Sequence, residues 1–209
     1  MTPLLAAAEG TFPVLPWLIA IPAVGALIVA LTPSSRTELF RPIALIFSAV
    51  AAALGVWMMV EFDHTTGANV AEGFQFVTER SWVDRLGIQW ISAIDGISLW
   101  LVVMTVLLFP IAIVAVEPGH DDKPYYAWLL LLEAGCLGVF VSLDLFMFFI
   151  FFEIVLVPMY FLIAKWGHGN RQYAAMKFFL YTIRLGAHAC WHVEPRVPAR
   201  SGNQRWAHV

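Results

Sequence analysis

The stretch FFIFFEIVLVPMYF, residues 148–161, sets a single glutamate, Glu153, among aromatic and aliphatic side chains and follows it with Pro158. Almost nothing near that carboxyl is polar, and the rest of the chain explains why. Of 209 residues, 60% are hydrophobic and only 13% are charged, about half the ~25% charged share of soluble domains. The mean hydropathy is +0.77. The apolar residues are not scattered but come in blocks, as in an integral membrane protein.

Crossing a hydrocarbon core of about 30 Å takes roughly 20 mostly apolar residues. Five stretches meet that length: residues 14–31, 42–60, 97–116, 125–143 and 145–164. Pro16, Pro22, Pro110 and Pro158 fall inside them, which neighbouring helices make tolerable in a membrane. Residues 173–183 read as the start of an incomplete sixth span. The fold expected is therefore all-α, a polytopic transmembrane helix bundle, with residues 1–182 as its membrane domain. The segment from Glu61 to Trp90 reads as a longer polar loop.

From Arg184 onward the character changes. Residues 183–209 hold arginines, histidines and prolines without apolar periodicity, and they read as a frameshifted or otherwise altered C-terminus that leaves the chain truncated. The alternative is a genuine disordered cytoplasmic tail. Within it, His188, Cys190 and His192 superficially suggest a metal site, but their spacing matches no zinc pattern.

Charge placement orients the bundle. With the N-terminus outside, the inner loops and their borders carry Arg36, Arg41, Lys123, Lys165, Arg171 and Lys177, and the outer loops carry only Arg80 and Arg85. The positive-inside rule favours that arrangement. Trp17, Trp90, Trp128 and Trp166 lie at or near span ends, as an aromatic belt requires. Lys165 and Lys177 read as interface residues whose stems can snorkel. The basic residues are spread singly, so nothing suggests a nucleic-acid surface. Cys136 and Cys190 are too far apart in sequence to suggest a disulfide framework.

Glu153 and Glu133 are the ionisable groups inside the spans. Each lies roughly 13 Å from the start of its expected span, near mid-membrane. The two spans run antiparallel through a minimal turn, so similar depths are expected. A carboxylate at that depth costs at least ~2.5 kcal/mol. It must keep its proton, or face the bundle interior and pair with a cation or water. Either response makes a group that can take up and release a proton, the requirement for a proton relay. The bland alternative is a carboxyl that only bridges helices. Pro158 leaves the carbonyl of Ile154, next to Glu153, without its helical donor, and so predicts a kink there. Asp95 and Asp144 stand at span starts, where a helix N-terminus accommodates negative charge. The chain contains no phosphate loop, dinucleotide fingerprint or cysteine cluster for iron–sulfur.

Three segments resemble a known family: AIDGISLWLVVMT at 93–105, GVFVSLDLFMFFIFFEIVLVPMYFLIAKWGH at 138–168 and AAMKFFLYT at 174–182. WVDRLGIQW at 82–90 adds to them. They are similar to the N-terminal part of the antiporter-like M subunits of bacterial NADH–quinone oxidoreductase, complex I. The resemblance ends near Thr182. It implies a bacterial inner-membrane subunit built on inverted helix repeats, without its own cofactor. NADH, FMN, iron–sulfur clusters and quinone belong to the rest of such a complex, and its other membrane subunits are the partners. The resemblance also implies that Glu153 is the relay carboxylate, paired with a lysine two helices later, beyond this sequence. Glu133 is a second candidate. A subunit of a related multisubunit sodium/proton antiporter or membrane hydrogenase shares the same helix core, and a purely structural membrane protein is a further reading.

Overall fold

In the helices the backbone satisfies its own hydrogen bonds, the condition for crossing lipid. The computed structural model describes residues 14–62, 74–83, 88–116, 118–119 and 122–193, leaving aside the side chains of 79–89 and 187–193. The elements are α1 (Val14–Leu31), α2 (Phe40–Glu61), β1 (Gln75–Val83), β2 (Ile88–Ile94), α3 (Gly96–Ala115), α4 (Asp122–Val141), α5 (Leu145–Trp166) and α6 (Arg171–Val193). The first five helices are long and apolar enough to cross a membrane; the chain is a multi-pass membrane protein. Their bounds lie within about a turn of the expected spans.

Capping explains where two of them begin. Asp95 precedes α3 and accepts from the backbone N–H of Ser98 at 2.7 Å. Asp144 precedes α5 and accepts from Phe146 at 2.9 Å and Met147 at 3.1 Å. Each carboxylate satisfies N–H groups that the first helical turn leaves without partners. α5 runs on through Pro158 without interruption.

Two features depart from the sequence reading. The segment expected as a polar loop contains an antiparallel hairpin, in which Thr78 pairs with Ser92 and Arg80 with Trp90. Its residues include Phe76, Val77, Thr78, Trp90 and Ile91, β-branched and aromatic types that suit strands. It packs on the α4–α5 turn, where Leu143 donates to the carbonyl of Ile91 at 3.0 Å. The ring of Trp90 meets Phe151 edge-on, 5.9 Å between centroids. The second departure is α6, which continues past Ile183 to Val193. Arg184, Leu185 and the alanines at 187 and 189 are good helix formers, and the first proline after them is Pro195.

α4 is the hub, packed against α1, α2, α3 and α5, while α6 packs on α5. Of the α4 span 61% is buried, against 22% of the α5 span. Two apolar clusters fill the bundle. One, toward the hairpin, holds Leu15, Leu18, Ala51, Ile94, Val102 and Leu137. The other, toward the opposite membrane face, holds Val29, Phe40, Ala44, Ile113, Tyr126 and Leu130.

Glycines fix the approach of α4 to α5. A Cβ on Gly135 would sit 2.8 Å from Val155 Cγ2, and one on Gly138 would fall inside the ring of Phe151. Residue 133 is therefore level with the stretch just after Val155, and residue 153 is level with 136 or 137. The two glutamates are offset by about one helical turn, ~5 Å, rather than standing at the same depth.

Candidate functional site

Glu133 is fully buried. Ser48, equally buried on α2, donates its Oγ–H to Glu133 Oε1 at 3.0 Å. Oε2 is buried with no hydrogen-bond partner among the described residues. The pair lies on the seam between the two apolar clusters. Ala44 and Leu130 belong to one, Ala51 and Leu137 to the other. A single polar contact thus divides the core at mid-depth, and its unsatisfied oxygen can hold a proton or accept from a water. Nothing in the spacing along the chain announced Ser48. The only signal was a hydroxyl inside an otherwise apolar span.

Glu153 faces elsewhere. It is half-buried, and its Oε1 is buried without a partner among the described residues. Across from it is Gly186 of α6: a Cβ there would lie 3.4 Å from Glu153 Oε1 and 3.3 and 3.4 Å from the rings of Phe149 and Phe152. The carboxyl therefore occupies a space between α5 and α6 that a side chain at 186 would fill. Further along the same antiparallel contact, Tyr160 meets Phe179 with centroids 5.5 Å apart. The sequence reading set residues 183 onward aside as a tail, and so missed Gly186 as a neighbour of the main candidate. Glu133 turns into the α2–α4 interior and Glu153 toward α6, so the fold keeps the two carboxyls apart.

Most of the remaining charged groups sit at the membrane borders; Arg184, exposed on α6 two residues before Gly186, lies instead near the level of Glu153. Burial pulls the Asp95 carboxyl upward, but hydrogen bonds from the Ser98 side chain and backbone outweigh it and hold the group below its ordinary value. Lys165 lies over the Trp166 ring at 5.2 Å, and Lys177 lies between Tyr173 at 5.7 Å and Tyr181 at 5.9 Å. These are cation–π contacts suited to snorkelling side chains. Among the described residues no group of three or more metal-ligating side chains converges. The side chains of His188, Cys190 and His192, and residues 194–209 of the expected tail, lie outside those described.

Comparison with known proteins matches this geometry to one lineage. Residues 142–187 match the family described as NADH:quinone oxidoreductase/Mrp antiporter, TM. That match covers α5, Glu153 and Gly186, and runs past Thr182. NADH-quinone oxidoreductase subunit M of Rickettsia conorii is 36% identical over 178 residues, covering 82% of this chain and 35% of that protein. NAD(P)H-quinone oxidoreductase chain 4 3 of Picosynechococcus sp. is 40% identical over 174 residues, covering 81% of this chain and 31% of that protein. The chain thus spans about a third of the length of the curated relatives it matches. Among solved structures, respiratory complex I from Thermus thermophilus with bound NADH matches with a TM-score of 0.65 at 21% identity, over 84% of this chain and 33% of that one. The Mrp complex from Dietzia sp. matches with a TM-score of 0.65 at 17% identity, over 82% of this chain and 18% of that one. At those identities the structural matches speak for the fold.

Proposed function

From the relationship of this chain to the antiporter-like membrane subunits of the NADH–quinone oxidoreductase type, we propose that it contributes a proton-relay carboxylate, Glu153, to a proton-translocating membrane complex. The observation that carries this reading is the buried Glu153 oxygen without a partner among the described residues, opposite Gly186 and inside the family-matched segment. A carboxyl with one oxygen so placed at mid-membrane is stable with its proton, and it gives the proton up when a cation or water chain reaches it. Glu133, hydrogen-bonded to Ser48, serves as a second internal carboxyl.

In this reading the chain does no redox chemistry. NADH, FMN, iron–sulfur clusters and quinone are handled by other subunits, and the chain alone has no catalytic turnover. Its partners are other membrane subunits and the bilayer, not nucleic acid. It lies in a bacterial inner membrane with the N-terminus outside, which puts Arg36, Arg41, Lys123, Lys165 and Arg171 on the inner face.

A second reading is a subunit of an Mrp-type ion antiporter. It is favoured by the family description and by a TM-score to the Mrp complex equal to that with complex I. Co-purification separates the two: peripheral redox proteins support the first, small antiporter subunits the second. The test of the relay itself uses the assembled complex in sealed vesicles. Glu153→Gln, which keeps size but not titration, should abolish proton movement while the complex still assembles. Unchanged proton movement would sink the proposal.

A further inference from the structure

Between α1 and α4 the bundle opens into an apolar groove of about 520 Å³. Ala23, Ala26 and Ala30 line it from α1, and Lys123, Trp128 and Leu131 from α4. The alanines recur at helical spacing along one face of α1, and their short side chains leave open the space that larger residues would fill. Residues 23–30 span roughly 10 Å of helix. The groove begins at the membrane border, where α1 ends at Leu31 and α4 starts at Asp122. Half of a ~30 Å hydrocarbon core is roughly 15 Å, so the groove ends within one leaflet. Trp128 makes a firm wall, stacked on Phe161 of α5 with centroids 4.6 Å apart and planes 11° apart.

Lys123 stands at the shallow end, half-buried in the first turn of α4. It has no ion-pair partner among the described residues, and the adjacent Asp122 lines a different pocket with Arg41. The same membrane face carries Arg36, Arg41, Lys165 and Arg171. A basic residue at the mouth of a cleft between membrane helices is suited to an anionic lipid headgroup. An apolar channel confined to one leaflet, capped by a lysine at headgroup level, fits an amphiphile of one chemistry. The geometry points to a binding site for one anionic phospholipid, with an acyl chain in the alanine-lined groove and the phosphate on the Lys123 ammonium. A zwitterionic lipid fills the same groove but gains less from the lysine. The site is independent of Glu153 and of any proton path.

The purified chain in mild detergent, titrated with dioleoyl phosphatidylglycerol or dioleoyl phosphatidylcholine and read by native mass spectrometry, tests it. One phosphatidylglycerol should be retained about five-fold more tightly than phosphatidylcholine, the ratio expected for ~1 kcal/mol per basic residue near an anionic surface. Lys123→Gln should erase that preference, and Lys123→Arg should keep it. Ala30→Phe puts a ring in the groove at an exposed position and should weaken both lipids at least ten-fold with helical content unchanged. If Ala30→Phe fails to fold, the headgroup preference in Lys123→Gln decides alone. Equal affinity for the two lipids, or an undiminished preference in Lys123→Gln, overturns the site. So does a protein dimer that Ala30→Phe dissociates, which would give the groove to a second copy.

Discussion

Adding one methyl group at Gly138 tests the helix register on which the positions of both carboxyls depend. A Cβ at 138 would occupy the ring of Phe151, and Phe151 in turn meets Trp90 edge-on at 5.9 Å. Either the ring swings away from the hairpin, or α4 and α5 move apart. Overpacking of this kind costs ~1–3 kcal/mol. Against it stands the ~1 kcal/mol that a helix interior gains when alanine replaces glycine. Gly138→Ala should therefore lose up to about 2 kcal/mol, on the overpacking and propensity figures together. For a chain of this size that lowers the melting temperature by up to roughly 8 °C. Gly96→Ala is the control, because nothing lies within 4 Å of a Cβ there. It should be neutral, or stabilising by up to ~1 kcal/mol. The assay is a thermal melt in detergent followed by tryptophan fluorescence, which also reports Trp90. If Gly138→Ala melts with or above Gly96→Ala, Gly138 does not sit against Phe151. The one-turn offset between Glu133 and Glu153 would then be wrong.

Ser48→Ala removes the hydroxyl that Glu133 accepts from and should cost ~1–3 kcal/mol. Most of that loss should return in Ser48→Ala/Glu133→Met, where no carboxyl is left unsatisfied; simple additivity in a double-mutant cycle would refute the coupling. Asp144→Ala deletes the cap on two backbone N–H groups of α5 and should destabilise by ~0.5–2 kcal/mol, read as a lower melting temperature at neutral pH. For Asp95 the sign follows from a folded-state carboxyl held below its ordinary value. The stabilisation is present above the unfolded pKa of ~3.9 and is lost as pH falls through the lower folded value. The stability gap between the native chain and Asp95→Ala should therefore be full at pH 7 and shrink below about pH 4; a gap that widens on acidification would contradict the hydrogen bonding with Ser98.

Much of this protein was legible in one dimension because its strongest signals are local. Length and apolar continuity sufficed for α1 to α5, since a helix crossing lipid must close its own hydrogen bonds and match a fixed thickness. The caps at Asp95 and Asp144 were readable for the same reason, each bond spanning at most three residues. That Glu133 and Glu153 are ionisable groups inside membrane spans also followed from the sequence. What surrounds them did not. Ser48 lies 85 residues from Glu133, and Gly186 lies in a segment whose composition looked unlike a membrane helix. The hairpin was hidden because its strands carry charged residues such as Glu79 and Arg80 amid the β-formers. Hydropathy reads such a stretch as polar, while pairing with each other and docking on the α4–α5 turn make it a sheet. Local pattern determined which segments are helices and which groups can titrate. Only the packing of α4 and α5 among their neighbours decided that one carboxyl looks into the core and the other toward α6, because a helix rotates freely until distant side chains fix its faces.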